Sequence, residues 1–209
     1  MTGCDCGASA GEAHDPKLRQ ILWLALVANA VMFAIDMVAS LVGESVALQA
    51  DALDFMGDSL TYAITLSVLG LSLRARSRAA LIKSALMASF AAWVVGSAVY
   101  RTVAHTVPDA VVMSVTGALA LLVNVTVAIR LFRYRDGDSN RRSIWLCSRN
   151  DAIGNVAVLL AASGVFVTST GWPDIVVAIV IAGLNFTAAY HVFWQAREEI
   201  RHEQASAIP

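Results

Sequence analysis

Apolar residues along this chain are gathered into long stretches that short polar connections separate. Stretches long enough to cross roughly 30 Å of hydrocarbon predict six helical spans, at residues 20–42, 46–72, 84–104, 110–132, 144–168 and 173–195. The connections after the first and fifth spans are too short to hold a domain, so these helices are expected to pair as antiparallel hairpins. The pattern therefore predicts an all-α fold, a polytopic membrane protein built as one bundle of six transmembrane helices.

The composition supports this prediction, since 57% of the 209 residues are hydrophobic and only 15% are charged. That balance is too apolar for a soluble domain of this size. The formal net charge of -1 gives no electrostatic reason to expect nucleic acid as a partner. The first apolar stretch lacks a small-residue cleavage site and is expected to stay in the protein. The predicted organisation is a cytoplasmic tail at 1–19, a six-helix transmembrane domain at 20–195 and a short cytoplasmic tail at 196–209.

Lysine and arginine residues fall almost entirely on one side of the predicted bundle. Fourteen of the 15 lie near the span ends that share a side with the two termini, and Arg101 lies on the other side. By the positive-inside rule, this bias sets the orientation of the chain. Both termini are therefore expected in the cytoplasm, and the bilayer is expected to be an inner (cytoplasmic) membrane of bacterial type.

Carboxylates interrupt the apolar pattern inside the predicted spans. Such residues are costly at membrane depth, so they face a bundle interior or an aqueous cavity and are functional by default. In span two, Asp51, Asp54 and Asp58 are spaced i, i+3 and i+7, which places all three on one helical face. Asp54 and Asp58 are one turn apart and can both reach one ion. Asp36 in span one is expected to line the cavity or to pack against polar groups of span two.

A second polar stripe lies in span five. Cys147 and Asp151 are separated by i, i+4, and Asn155 continues the stripe by another turn. Facing helices that each offer two ligands build metal centres in helical bundles. Carboxylates together with a thiolate suit a zinc-type divalent ion better than magnesium or calcium. The predicted metal ligands are therefore Asp54, Asp58, Cys147 and Asp151.

Several other residues have a predicted supporting role. Asp51, Asn150 and Asn155 are candidates for holding the ligands in place through hydrogen bonds. Asn124 in span four is expected to make a hydrogen bond between helices.

Each ligand assignment has an alternative. Asp54 and Asp58 could be buried carboxylates bonded to polar groups of neighbouring helices, or members of a proton relay. Free cysteine packs as a small hydrophobe in most cores, so Cys147 could be either a metal ligand or an ordinary core residue. Arg149 could neutralise Asp151, although an i, i+2 pair has poor geometry on a helix.

The N-terminal tail carries Cys4, Cys6 and His14. These side chains could collect metal ions in the cytoplasm, or they could belong to an ordinary flexible tail. The total of three cysteines is odd and predicts no disulfide framework.

The stretch at 45–58, SVALQADALDFMGD, resembles the S-x-A-L-x-A-D-A-x-H-x-x-x-D motif in the second helix of the cation diffusion facilitator family of cation efflux proteins. Cys147 and Asp151 stand where the fifth helix of that family has H/D-x-x-x-D. The resemblance covers most of the chain. It implies a transporter, not an enzyme, that exchanges zinc or a related divalent cation for protons without a cofactor. It also implies that the four predicted ligands form the transport site.

Two departures from the family pattern bear on this expectation. Zinc-selective members commonly have histidine at the position of Asp54, and histidine or aspartate at that of Cys147. Zinc, cadmium, cobalt, iron and manganese therefore all stay open as the ion. Typical members also add a cytoplasmic metal-binding domain after the sixth helix, whereas 196–209 is short. The resemblance thus predicts a short form without that domain, working as a homodimer held through its transmembrane helices.

The clustered carboxylates suggest how transport could be driven. Carboxylates in a low dielectric resist ionising together, and a divalent cation displaces their protons. An inward proton gradient could then drive metal outward, and the sequence has no G-x-x-x-x-G-K-[ST] motif for nucleotide. The alternatives are a proton-coupled transporter of another small cation and a membrane metal sensor. An intramembrane hydrolase is less favoured, because His105 and His191 lie at span ends.

The predicted spans place the two halves of the site at different depths. Asp58 lies near the middle of span two, whereas Asp151 lies seven residues, roughly 10 Å, after residue 144. A fifth helix that begins earlier, towards Arg141, would bring the halves closer. The shared site requires Asp151 to lie close enough to Asp54 or Asp58 to hold one ion with it.

Overall fold

The computed structural model describes residues 16–67, 73–132 and 139–206, with side chains described at 19–64, 66–67, 77–132 and 150–201. Every regular element in these ranges is an α-helix, and no strand occurs in them. The helices are α1 Pro16–Val42, α2 Val46–Ser67, α3 Leu73–Ala104, α4 Ala110–Phe132, α5 Ser139–Thr168 and α6 Trp172–Ser206. The predicted all-α fold is confirmed.

Four helices extend beyond the predicted spans. α1 begins at Pro16 rather than at 20, α3 begins by Leu73 rather than at 84, α5 begins by Ser139 rather than at 144, and α6 runs to Ser206 rather than to 195. The added turns are rich in charged and polar residues. The apolar pattern marks the part of a helix that lipid contacts, and a helix can continue past it into water. Most of the stretch predicted as a C-terminal tail therefore continues α6.

Five of the six helices are long and apolar enough to cross a membrane. α2 is too polar to be among them, because its 22 residues include Asp51, Asp54 and Asp58. α2 instead contacts all five other helices. Among the described side chains, each of the other helices has large apolar residues exposed, and α2 has none. α2 is therefore the central helix of the bundle, and its role as a sixth span stays a prediction.

Tight turns join α1 to α2 and α5 to α6. Glu44 and Ser169 each adopt a positive φ of 52° just after a helix end, the left-handed conformation that ends many helices. The Gly43 amide donates to the Ala39 carbonyl at 2.7 Å, and the Ser169 amide donates to the Val165 carbonyl at 2.8 Å. α1 packs along α2, and α5 packs along α6. Both predicted hairpins are confirmed.

Asp174, at the start of α6, holds the N-terminus of α2. Its carboxylate accepts hydrogen bonds from the Ser45 hydroxyl at 2.6 Å and from the Val46 and Ala47 amides at 2.8 and 3.0 Å. The Ser45 hydroxyl oxygen accepts from the Leu48 amide at 3.1 Å. These bonds satisfy N–H groups that a helix leaves free at its N-terminus. They also place a negative charge where the helix dipole favours it.

Further contacts join the same turn to other helices. Arg101 of α3 donates to the Glu44 carbonyl, and the Asp109 amide donates to the Gly43 carbonyl at 2.8 Å. Together with Asp174, these residues fasten the α1–α2 turn to α3, α6 and the start of α4. We call this end of the bundle, defined by Gly43, Glu44, Arg101, Asp109 and Asp174, the clamped end.

Candidate metal centre

α2 and α5 bring carboxylates to similar depths. The Asn155 amide of α5 donates to Asp51 Oδ1 of α2 at 2.6 Å, so these two residues lie at one level. Because α2 and α5 run antiparallel, Asp151 lies four residues, about 6 Å, from that level towards the end of the bundle opposite the clamped end. Asp54 and Asp58 lie three and seven residues from it in the same direction, about 5 and 11 Å. Asp151 therefore lies between Asp54 and Asp58 in depth, and the difference in depth that the predicted spans contained is absent.

The three carboxyl groups also meet across the two helices. Asp151 lies within hydrogen-bonding distance of both Asp54 and Asp58. All three side chains are partly buried. The Oδ2 atom of Asp151 is buried and has no hydrogen-bond partner among the described residues, so it can still accept a proton or contact a cation. The structure thus brings together three of the four predicted ligands.

The side chain of the fourth predicted ligand, Cys147, lies outside the described residues, as do Cys4, Cys6 and His14 of the tail. The backbone of Cys147 belongs to α5, one turn before Asp151. Among the described side chains, no group of three or more His, Cys, Asp and Glu residues has the arrangement of a metal site as it stands. Carboxyl groups within hydrogen-bonding distance share protons, so an entering metal ion would have to replace those protons and separate the groups.

Two residues that the sequence pattern did not single out lie beside these carboxylates. Asn185 of α6 is buried and lies within hydrogen-bonding distance of Asp54. Lys83 of α3 donates to the Thr61 hydroxyl of α2 and is close enough to Asp54 and Asp58 to attract them electrostatically. A lone amide inside an apolar span is a signal that could have found Asn185. Lys83 gave no such signal, because it counted only as one of the cytoplasmic basic residues.

A second group of polar side chains lies nearer the clamped end. Asn124 of α4 donates to Asn155 Oδ1 of α5 at 2.8 Å, and Asn155 donates to Asp51 Oδ1 of α2 at 2.6 Å. All three residues are buried, and the predicted interhelical hydrogen bond of Asn124 is confirmed. Asp36 of α1 is also buried and lies near enough to Asp51 for their charges to repel. Asn150, by contrast, is exposed.

These features define a class of protein. Long apolar helices that surround a polar central helix, with carboxylates and an ammonium group inside, are the construction of a polytopic membrane protein that handles ions within the bilayer. A family model described as the cation efflux transmembrane domain matches residues 22–200. The chain therefore belongs to the cation efflux family, the cation diffusion facilitators, which transport metal cations across membranes. A comparison with curated proteins finds no match.

Proposed function

We propose that this chain exports a divalent metal cation from the cytoplasm in exchange for protons, with Asp54, Asp58, Asp151 and Cys147 as its transport site. The observation that carries the proposal is the meeting of carboxyl groups from α2 and α5 inside a bundle with an apolar outer surface. Burying such groups without a role would be costly, so a functional site is the default interpretation.

The charges of the neighbouring side chains favour a divalent substrate. Asp54, Asp58 and Asp151 carry three negative charges when all are ionised, and Lys83 carries one positive charge beside them. These four groups together carry two net negative charges, which one divalent cation balances while the Cys147 thiol keeps its proton. An ionised Cys147 would add one further negative charge. An uncompensated charge is expensive in a low dielectric. Either the metal ion or protons must therefore supply the balance.

Proton exchange follows from the same groups. Carboxyl groups within hydrogen-bonding distance hold protons between them, and a metal ion can bind only after these protons leave. If the site opens alternately to the two sides of the membrane, it releases the metal ion and takes up protons when it opens to the outside, and it releases the protons and binds a new metal ion when it opens to the cytoplasm. This cycle needs no nucleotide, no cofactor and no catalytic residue. We therefore propose an antiporter rather than an enzyme.

The preferred ion depends on Cys147, which precedes Asp151 by one helical turn. A thiolate added to carboxylates suits zinc and the related ions cadmium and cobalt. Oxygen donors alone suit harder ions such as manganese better. We therefore propose zinc as the substrate. We expect Cys147→Ser to lower the transport of cadmium relative to that of manganese in the vesicle assay described below. An unchanged ratio of cadmium transport to manganese transport would show that Cys147 is not a ligand.

We also propose that α2 crosses the bilayer as a sixth span. It returns beside α1 after a short turn, and its 22 described residues extend about 33 Å, which is enough to cross the hydrocarbon. In this proposal both termini lie in the cytoplasm and the clamped end lies on the other side of an inner membrane, which the distribution of basic residues supports through the positive-inside rule. A homodimer, which the family resemblance implies, would form through the lipid-facing sides of the outer helices.

The transport proposal can be tested with the full chain reconstituted into proteoliposomes that enclose a pH-sensitive dye. Zinc, cadmium, cobalt, iron(II) and manganese would be added in turn, and metal uptake and proton movement would be recorded together. We expect proton movement that depends on the metal, and its loss in Asp58→Ala. Asp109→Asn is the matched control, because Asp109 is an exposed aspartate at the start of α4 and asparagine can accept the same capping hydrogen bonds.

Different results would separate the alternatives. The absence of metal-dependent transport by the native chain would contradict the proposal. Proton-coupled flux of another small cation that is insensitive to metal would favour the other type of transporter. Metal binding without flux would favour a membrane metal sensor. Full activity of Asp58→Ala would show that Asp58 of α2 does not belong to the transport site.

A further inference from the structure

The inward face of α1 carries a carboxylate that the proposed transport site does not use. Buried residues recur along this face at helical spacing, and Asp36 is one of them, with no exposed surface. Neither of its carboxylate oxygens has a hydrogen-bond partner among the described residues. A buried ionised carboxylate without compensation is among the most expensive groups in a protein interior. Asp36 therefore requires a positively charged occupant beside it, either a proton or a cation.

Asp51 of α2 lies at the same level as Asp36. Asp36 is six residues before the end of α1 at Val42, about 9 Å, and Asp51 is five residues after the start of α2 at Val46, about 8 Å. Because α1 and α2 pack against each other as an antiparallel hairpin, these distances bring the two carboxylates to one depth. Their charges are close enough to repel.

Hydrogen bonding leaves part of Asp51 free as well. Its Oδ1 atom accepts the Asn155 amide at 2.6 Å, and Asn155 is itself held by Asn124 at 2.8 Å. Its Oδ2 atom is buried and has no partner among the described residues. The pair of Asp36 and Asp51 thus presents three buried oxygens without a donor, on two adjoining helices. Oxygen donors of this kind are the ligands that hard divalent cations prefer.

We propose that Asp36 and Asp51 form a second cation site, which receives the transported divalent ion between the α2–α5 centre and the clamped end. This inference rests on the proposed function. Along the axis of α2, Asp51 is about 5 Å beyond Asp54 and about 11 Å beyond Asp58, in the direction of export. An ion that leaves the first site towards the outside must therefore cross the level of this pair.

A second site would help the ion to leave. Conduction and transport require binding that is favourable enough for entry yet weak enough for release, and adjacent sites achieve this through repulsion between neighbouring ions. An ion that moves from the α2–α5 centre to Asp36 and Asp51 leaves the former free for protons. The step forms no covalent bond and transfers no electron, since the cation only exchanges one set of oxygen ligands for another.

The proposal predicts a count of bound ions. The full chain, purified in detergent, would be dialysed to equilibrium against Mn²⁺, and the metal bound per chain would be measured together with the electron paramagnetic resonance spectrum. We expect two ions per native chain, with the dipolar broadening of two neighbouring Mn²⁺ ions. We expect one ion and no broadening in Asp36→Asn. The control Asp109→Asn should bind two.

Variants of the first site distinguish this inference from the proposed function. The double variant Asp54→Asn with Asp58→Asn should keep one ion, bound by Asp36 and Asp51. A native chain that binds a single ion, lost in the double variant, would overturn the second site and leave the proposed function intact. A native chain that binds neither Mn²⁺ nor Zn²⁺ would overturn both. If Asp36→Asn does not fold, Asp51→Asn gives the same test, and the count for the native chain is decisive without any variant.

Discussion

Replacing Asp174 with alanine should loosen the clamped end and lower the stability of the bundle. The change removes the acceptor for the Ser45 hydroxyl and for the Val46 and Ala47 amides, which now bond at 2.6, 2.8 and 3.0 Å. Water cannot readily take its place, because Asp174 is 1% exposed and the three donor residues are 0% exposed. A buried donor left without an acceptor costs about 1–3 kcal/mol. The three together predict a loss of about 3–5 kcal/mol in the free energy of unfolding.

This loss is large enough to measure by thermal unfolding of the purified chain in detergent. For a chain of this size, 1 kcal/mol corresponds to about 2–4 °C in Tm, so Asp174→Ala should lower Tm by about 6–20 °C. Asp174→Asn keeps an oxygen acceptor and should lose about 1–2 kcal/mol. The ranking of the two variants tests whether hydrogen bonding, rather than side-chain volume, holds the clamped end.

Asp109→Ala provides the matched control. Asp109 also caps a helix at this end, since its Oδ1 atom accepts from the Val111 and Val112 amides at 2.8 and 3.1 Å, but these bonds are exposed. Water can replace them, so the expected loss is about 1 kcal/mol. Equal falls in Tm for Asp174→Ala and Asp109→Ala would refute the reasoning, because burial of the donors would then have no effect.

Three further changes give separate tests. Lys83→Met removes the ammonium group that repels an entering cation, so metal should bind several-fold more tightly by titration, with Lys83→Arg close to native; weaker binding would contradict this. Asn155→Leu removes the bond to Asp51 at 2.6 Å and should lower the free energy of unfolding by about 2 kcal/mol, measured by denaturant titration. Gly171→Ala would bring a Cβ to 2.5 Å from a backbone oxygen and should lower Tm, whereas Gly96→Ala, with no atom within 4 Å, should not.

The apolar pattern predicted the existence of the helices and the hairpins because bilayer thickness fixes the length of a membrane-crossing stretch. It did not predict where α3 and α5 begin or where α6 ends. The turn at 139–143 is polar on all sides, and the first turn of α3 carries Arg74 and Arg76, so no continuous apolar period marks these turns as helical. Helix formation propagates into them from the apolar part, because each added residue gains a hydrogen bond.

Only the parts of the candidate site that lie within a single helix could be predicted from the sequence. The spacing of Asp54 and Asp58 is a signal within α2, and that of Cys147 and Asp151 is a signal within α5. The approach of Lys83 depends on how α3 packs around α2, and no spacing along the chain encodes that. The meeting of Asp36 and Asp51 could have been found from the sequence, because both lie at nearly equal distances from one short turn.

The polarity of α2 also has a consequence for biosynthesis. Each aspartate costs about 2.5–3.5 kcal/mol at the centre of an inserting helix, whereas a leucine or valine returns only about 0.3–0.6 kcal/mol. With three aspartates, α2 is not expected to leave the translocon for lipid on its own. α1 is apolar enough to span and is joined to α2 by a short turn, so the two should enter as a hairpin. The carboxylates of α1 and α2 would then face each other rather than lipid. α6, which is synthesised after the other five helices, would pack against α2 afterwards, with Asp174 at the start of α2 and Asn185 beside Asp54.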